Sequence, residues 1–370
     1  MPLAQLRPSL DLLTRRRSGW IGVDIGAASV KLAQLEIVNG KKEIAEAAIF
    51  PIPQTANCSP ASIRGGWLSH ALQQQVLRYR RFRGQTAACG ISLSLTEFRS
   101  LTIPPGSDRE RREMIALELA PDSGPRSEAM EFDFWDGCAN PNDSAGTNTV
   151  NMLSVSQELA TAVAEALYQS GLHCRTLDGG PFILARAAEL VSPSETKPGP
   201  IGVLDWGHSG AQFIVMRNAE PLFTRVFKGC AVNQLVQAVA GGLKLPDDEC
   251  RQLLADSGLA DPRPGSPPAT PAQENVWELA TQAFQTLKSE LDKTLAYLRH
   301  QRPELAPAEI CLLGGGSTIR NAAARLSAEF GLPFFVWRMP QRATAGTALT
   351  GQPVELLAQA AALSELRWAS

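Results

Sequence analysis

Ile21-Gly22-Val23-Asp24-Ile25-Gly26-Ala27-Ala28-Ser29-Val30-Lys31 is the stretch on which the fold turns. A short apolar run carries an acidic residue to its end, meets a glycine and small residues, and continues into another apolar run. The pattern returns 181 positions later as Ile201-Gly202-Val203-Leu204-Asp205-Trp206-Gly207-His208-Ser209-Gly210. Two such copies predict two similar half-molecules facing each other across a cleft. In each half a strand delivers an aspartate to its end, and a tight turn exposes backbone N–H groups beside it. Opposed turns of that kind would hold a polyphosphate between them, with Asp24 and Asp205 placed to hold a hydrated Mg²⁺.

A carboxylate at the end of a buried strand is costly unless it has a partner or a task. Either aspartate alone would be explained as an Asx cap of its own turn, but two in register favour the clamp. Gly26, Ala27, Ala28 and Ser29 on one side, and Gly207, Ser209 and Gly210 on the other, are small enough to let phosphate oxygens approach the backbone. Lys31 would either reach the phosphates or lie on the wet face of its strand. Gly314-Gly315-Gly316-Ser317 follows an expected strand and precedes an expected helix. That suits a backbone passing close to adenine or a ribose, although such turns also arise from packing alone. Glu290 and Lys293, one turn apart on a long expected helix, would hydrogen-bond a ribose and an adenine edge, or simply pair with each other.

The chain has 370 residues, enough for two cores, with 44% hydrophobic and 19% charged residues. Lys and Arg number 35 against 37 Asp and Glu, so nothing in the overall charge points to nucleic acid. Seven cysteines are scattered without metal-ligand spacing, as reduced thiols would be. No apolar run is long enough to span a membrane. Residues 1–20 form a separate tail, in which leucines precede Arg15-Arg16-Arg17. It would fray in solvent, or lie on an anionic surface or a partner.

Residues 21–52 predict three strands, the last two joined at Asn39-Gly40, a strong hairpin dipeptide. A helix is expected over 61–79, followed by a run of arginines holding Tyr79 and Phe82. Residues 88–152 predict a β-α-β-β-like inserted subdomain, opening with a strand at 89–95. The chain then returns to a helix, a strand ending at Asp178 and a helix from Pro181. A Ser/Pro/Lys-rich linker at 193–200 separates the halves. This divides the chain into a first lobe (21–87 and 153–198), the insert, a second lobe (199–245 and 305–370) and a smaller subdomain (246–304).

In chain order, the Asp24, Asp205 and Gly314–Ser317 turns resemble the phosphate-1, phosphate-2 and adenosine motifs of the actin-like ATPase superfamily. That implies an α/β, ribonuclease H-like duplicated two-lobed fold with an inserted α+β subdomain. The stretch from Val23 to Leu32, Ser92-Leu93-Ser94, Leu101 to Pro105 leading to Arg112 to Glu118, and Leu177-Asp178 with Phe182 to Ala187 are similar to the PilM family of type IV pilus proteins, relatives of FtsA. The resemblance implies ATP and Mg²⁺ in the cleft, with Asp24, Asp205 and Asp178 as the acidic residues of any slow hydrolysis. It also implies a groove, built from residues 21–200, for the N-terminal cytoplasmic peptide of a PilN-like inner-membrane protein. Further implications are contacts with other pilus platform proteins, a possible homo-oligomer, and a cytoplasmic place peripheral to the inner membrane. The chain departs from the pattern at Gly179-Gly180, where the family has an acidic residue, and at Trp206 and His208, which would crowd the second turn. A small-molecule kinase of the same fold is the alternative, but none of the four histidines precedes an aspartate as sugar kinases require. A secretion-platform relative of the type II system also remains open.

Overall fold

The structure, a computed structural model, describes residues 17–78, 82–119, 129–137, 148–192, 199–341 and 353–368. Most of the N-terminal tail, part of the arginine–aromatic run, most of the loop at 137–148 and most of the linker at 193–200 lie outside the described residues.

The first half opens with β1 (Arg17–Ser18), β2 (Ile21–Ile25), β3 (Ser29–Val38) and β4 (Lys41–Pro51). β1 and β2 lie along one edge of β3, and β4 along the other, all antiparallel. Asn39 and Gly40 turn β3 into β4 at φ 51° and 77°, the left-handed pair that a two-residue hairpin requires. The single helix expected over 61–79 is broken in two, α1 (Pro60–Arg64) and α2 (Trp67–Gln73), because Gly66 adopts φ 91° and stops the first turn. β5 (Thr86–Ile91) then lies parallel to β2, buried between strands, so it belongs to the first sheet and not to the insert. The expected boundary at residue 88 therefore falls inside a lobe strand. The insert is β6 (Glu97–Ile103), α3 (Asp108–Leu119), β7 (Met130–Asp136) and β8 (Asn148–Ser156), an antiparallel sheet in the order β6-β8-β7. α3 closes a small core of Ile103, Ile115, Val150 and Met152. α4 (Gln157–Gln169), capped by Ser156, returns the chain to β9 (His173–Gly179), parallel to β5, and to α5 (Gly180–Val191).

The second half repeats the plan. β10 (Ile201–Trp206), β11 (Ala211–Arg217) and β12 (Glu220–Phe227) form a meander, turned at Asn218-Ala219 with φ 54° and 60°. α6 (Val232–Leu243), α7 (Asp247–Asp256) and α8 (Pro271–Gln301) follow. α8 starts at a capping box of Thr270 and Gln273. β13 (Ile310–Leu313), α9 (Ala322–Phe330) and β14 (Phe334–Val336) add parallel strands, giving the order β12-β11-β10-β13-β14. The first sheet shows the same sequence of neighbours, β4-β3-β2-β5-β9.

The final helix, α10 (Ala358–Glu365), corrects the expected domain division. Although residues 305–370 read as second-lobe sequence, α10 packs on β2, β3, β5 and α5 of the first lobe. Its Ala-rich surface permits this: the Ala360 carbonyl lies where a Cβ on residue 22 would be, so only glycine fits at Gly22. Ser364 completes the seam, its hydroxyl accepting from Leu35 N–H at 2.9 Å and donating to the Trp20 carbonyl at 2.6 Å. α5 and α10 thus fill a shared core between the two sheets, with Ala33 and Leu35 on one side and Val203, Ile214 and Leu313 on the other. Among the described residues no helix is long and apolar enough to cross a membrane. Ser364→Ala orphans a buried donor and acceptor together, so it is expected to cost about 2 kcal/mol. Urea unfolding should show a lower midpoint at unchanged slope.

Candidate functional site

The two aspartate hairpins are superimposable in their local chemistry. Two residues after each aspartate a glycine N–H closes the turn, Gly26 onto the Ser29 carbonyl at 3.1 Å and Gly207 onto the Gly210 carbonyl at 2.9 Å. Seven residues after each aspartate stands its cross-strand partner, Lys31 opposite Asp24 and Gln212 opposite Asp205. Residues paired in this way present their side chains to the same face. Both hairpins open into one cavity of about 1030 Å³, lined by Asp24, Gly26, Ala27, Ala28, Ser29 and Lys31 from the first lobe. Asp205, Gly207, Ser209, Gly210, Gly314 and Gly315 line it from the second.

The two carboxylates differ in their compensation. Asp24, 4% exposed, is paired with Lys31 Nζ at 3.0 Å. The ammonium lies over Gly26, where a Cβ would collide with it. Among the described residues Asp205 has no ion-pair partner. Its Oδ2 accepts from Gln359 Nε2 of α10 at 3.1 Å, and its Oδ1 has no partner among the described residues. Oδ1 rests against Gly314, which adopts φ 72° and could carry no Cβ there. Burial, then the negative charge of Asp24 across the cavity, push the Asp205 carboxyl from 3.8 up to about 6, against the opposing pull of Lys31 and Gln359. His208 also lines the cavity, and burial followed by the nearby Arg251 lower its pKa, favouring the uncharged ring.

Several expected positions lie elsewhere. Glu290 and Lys293 are not at the cavity; they pair with each other at 2.6 Å, and Arg225 joins Glu290 at 2.9 Å. The reason is that α8 buries its apolar stripe in the second-lobe core, including Phe284, Leu287 and Leu291, which leaves these two beside β12. Gly316 and Ser317 build the third turn without lining the cavity: Gly316 backs the Trp206 ring, and Ser317 donates to the Gly314 carbonyl at 2.6 Å. Trp206 does not crowd the second turn. It is turned into the core against Phe284, with ring centroids 6.2 Å apart. Asp178 is held by Arg186 and by the Gly179 N–H at 2.8 Å, away from the cavity. Sequence reasoning missed Gln212 and Gln359, and also α7, which contributes Asp247, Asp248, Arg251 and Leu254 to the cavity wall. The signal for Gln212 was available in the repeat, because it occupies the position that Lys31 occupies in the first copy.

Among the described residues no group of three or more His, Cys, Asp or Glu side chains forms a protein-only metal cage. Mg²⁺ on a polyphosphate needs only one or two carboxylates, the rest of its shell being phosphate and water. Asp24 and Asp205, the latter with an Oδ1 that has no partner among the described residues, line one cavity and supply that number of carboxylates. The sign of the electrostatics can be checked without ligand. Because the folded pKa of Asp205 exceeds the unfolded one, its stability contribution is full below about pH 4 and lost as pH rises through about 6. A shift of about 2 units corresponds to at most roughly 3 kcal/mol. Asp205→Asn is therefore expected to stabilise the ligand-free protein at pH 8 by up to that amount, and hardly at pH 4.5, measured by urea unfolding at both.

No family model matches the chain. No curated protein matches its sequence. Solved structures do match in shape. A chain of a structure described as a PilM-PilN type IV pilus biogenesis complex superimposes with a TM-score of 0.71 at 22% identity, covering 94% of this chain and 98% of that one. The ethanolamine utilization protein EutJ from Carboxydothermus hydrogenoformans gives a TM-score of 0.51 at 13% identity, covering 94% and 89%. The protein therefore has the two-lobed actin-like fold, with an inserted α+β subdomain.

Proposed function

We propose that this protein is an ATP-binding scaffold of a type IV pilus, or related secretion, assembly platform, working in the cytoplasm against the inner membrane. The observation that carries the reading is the pair of mirrored acidic turns around one cavity, Asp24 with Lys31 and Asp205 with Gln212. Exposed turn N–H groups on both sides suit phosphate oxygens, and Lys31 supplies a cation that a triphosphate would share with Asp24. Mg²⁺, when bound, would neutralise phosphate charge, with Asp24 and Asp205 holding its waters. The apolar side chains of Val236, Leu254 and Ile319 line the same cavity beside Asp248 and Arg251, and would receive the base and ribose in place of Glu290 and Lys293.

The partner belongs to the same reading. The insert is fixed to the first lobe through Trp135, which packs on Phe98 within the insert at 6.0 Å and on Phe182 of α5 at 5.0 Å. α5 also begins at the cavity, at Gly180. A PilN-like N-terminal peptide docked between insert and first lobe would thus lie near Phe182, in the first turn of the helix whose Gly180 lines the cavity. Nucleotide would bias partner binding by its differential affinity for two states of the cleft. Contacts with other platform proteins, and self-assembly, fall under the same proposal.

Two measurements test it. Asp205→Asn is expected to weaken binding of Mg·ATP about tenfold or more by calorimetry, roughly 1.4 kcal/mol, while the ligand-free protein loses no stability. A parallel loss of stability, or unchanged affinity, would make the aspartate structural. The N-terminal peptide of the PilN-like protein from the same cell should bind the full chain with an affinity that changes when Mg·ATP is added. Stimulation of ADP release by a sugar, with no peptide binding, would favour a kinase instead.

A further inference from the structure

Gln34 and Glu36 of β3 are buried polar residues that the cavity does not use, 1% and 2% exposed. They clamp two distant parts of the chain to one strand. Gln34 Nε2 donates to the Gly19 carbonyl at 3.0 Å and to the Arg83 carbonyl at 2.7 Å, and its Oε1 accepts from the Arg83 N–H at 2.7 Å. Glu36 Oε1 accepts from the Ser18 hydroxyl at 3.2 Å and pairs with Arg83 Nη1 at 3.1 Å. The two arginine-bearing stretches of the sequence, one ending at Arg17 and the other at Arg83, are therefore tied to the same end of β3. Arg17 sits opposite Ile37 and Ile37 opposite Lys42, so Arg17 and Lys42 share one face of the sheet, and Glu36 with its Arg83 takes the other. Arg367, just after α10, donates to the Ser18 carbonyl. Arg17, Arg83 and Arg367 are exposed, whereas Glu36 and Glu365, the partner of Lys42, are recessed and Glu43 is half-buried. The outermost layer of this edge is cationic. It is also remote from the cavity: along β3, Lys31 faces Asp24 and Ile37 faces Arg17, about 20 Å apart.

We propose that this edge of the first lobe is a docking surface for an anionic phospholipid bilayer. The sequence around the clamp selects a bilayer over other polyanions. Arg15 and Arg16 directly precede Arg17, and Leu3, Leu6, Leu10, Leu12 and Leu13 precede those. Cations beside leucines match a layer of anionic headgroups above acyl chains, whereas nucleic acid would meet the cations and gain nothing from the leucines. The chain carries 35 Lys and Arg against 37 Asp and Glu, so the attraction comes from where the arginines are gathered and not from net charge. Gathering them is what Gln34 and Glu36 do: two stretches far apart in sequence act as one patch, each arginine adding about fivefold to partitioning. The proposal goes beyond the scaffold reading, in which a partner's peptide supplies the attachment to the membrane, and it holds with or without nucleotide.

The test is co-sedimentation of the full chain with vesicles of phosphatidylglycerol and phosphatidylethanolamine, against vesicles of phosphatidylcholine, at low and high salt. Binding is expected to the anionic vesicles only, and to weaken with salt. Arg15→Gln, Arg16→Gln and Arg17→Gln together leave every buried carboxylate paired and are expected to lower partitioning on the order of 100-fold. Arg83→Gln and Arg367→Gln, far from the tail in sequence, should each cost about fivefold. Leu10→Ser with Leu13→Ser keeps every charge and should cost about tenfold or more. Arg109→Gln with Arg299→Gln, exposed arginines on α3 and α8, serves as the charge-matched control and should change nothing. No binding to the anionic vesicles, equal binding to neutral ones, full binding by the triple variant, or an equal loss in the control overturns the proposal. Binding of a single-stranded RNA oligonucleotide in place of vesicles, unchanged by the leucine substitutions, overturns it too and makes the edge a nucleic-acid surface. A chain that binds Mg·ATP but no vesicle loses this proposal alone. One that binds vesicles but no Mg·ATP keeps it and loses the nucleotide reading.

Discussion

The close approach of the last helix to the first strand is the contact on which the arrangement depends. At Gly22 the backbone of β2 meets the Ala360 carbonyl with no room for a methyl group, and Ser364 bonds Leu35 and Trp20 a turn later. This seats α10 on the first sheet even though the chain reaches it from the second. One residue before Ala360, Gln359 is thereby delivered to Asp205 of the other lobe. The lobes are joined through a packed layer of α5 and α10, and the cavity is the space that layer leaves open at the strand ends.

Within that cavity the duplication is broken by charge. Asp24 has a cation as its cross-strand partner and Asp205 has an amide, so one corner is neutral in the empty state and the other is not. Removing a carboxylate from water without a counter-charge is unfavourable, and burial accordingly pushes the Asp205 carboxyl up from its ordinary value. In the function proposed here, a bound Mg²⁺ would supply the missing charge.

The resemblance to actin-like proteins was legible because it rests on local grammar. An apolar run, an acid, a glycine and small residues recur at a fixed place in each half, and Asn39-Gly40 marks a hairpin whose left-handed turn few other residues tolerate. Positions that failed did so where a side chain has two directions available. Trp206, beside Asp205 in sequence, points the other way because strand neighbours alternate faces, so it entered the core while the aspartate entered the cleft. Glu290 and Lys293 obeyed helical spacing, but spacing alone does not say which way a helix is rolled on its sheet.

By itself the sequence determined the repeat, the elements and the small residues that the turns require, because these follow from backbone sterics and from the period of apolar residues along a few neighbouring positions. Only the tertiary structure decided that α10 belongs to the first lobe, that β5 lies in the first sheet, and that Gln212, Gln359 and α7 share a cavity with the two aspartates. Those outcomes depend on contacts between residues hundreds of positions apart, such as Leu35 with Ser364, whose partners are chosen by shape and buried polarity once the sheets have formed.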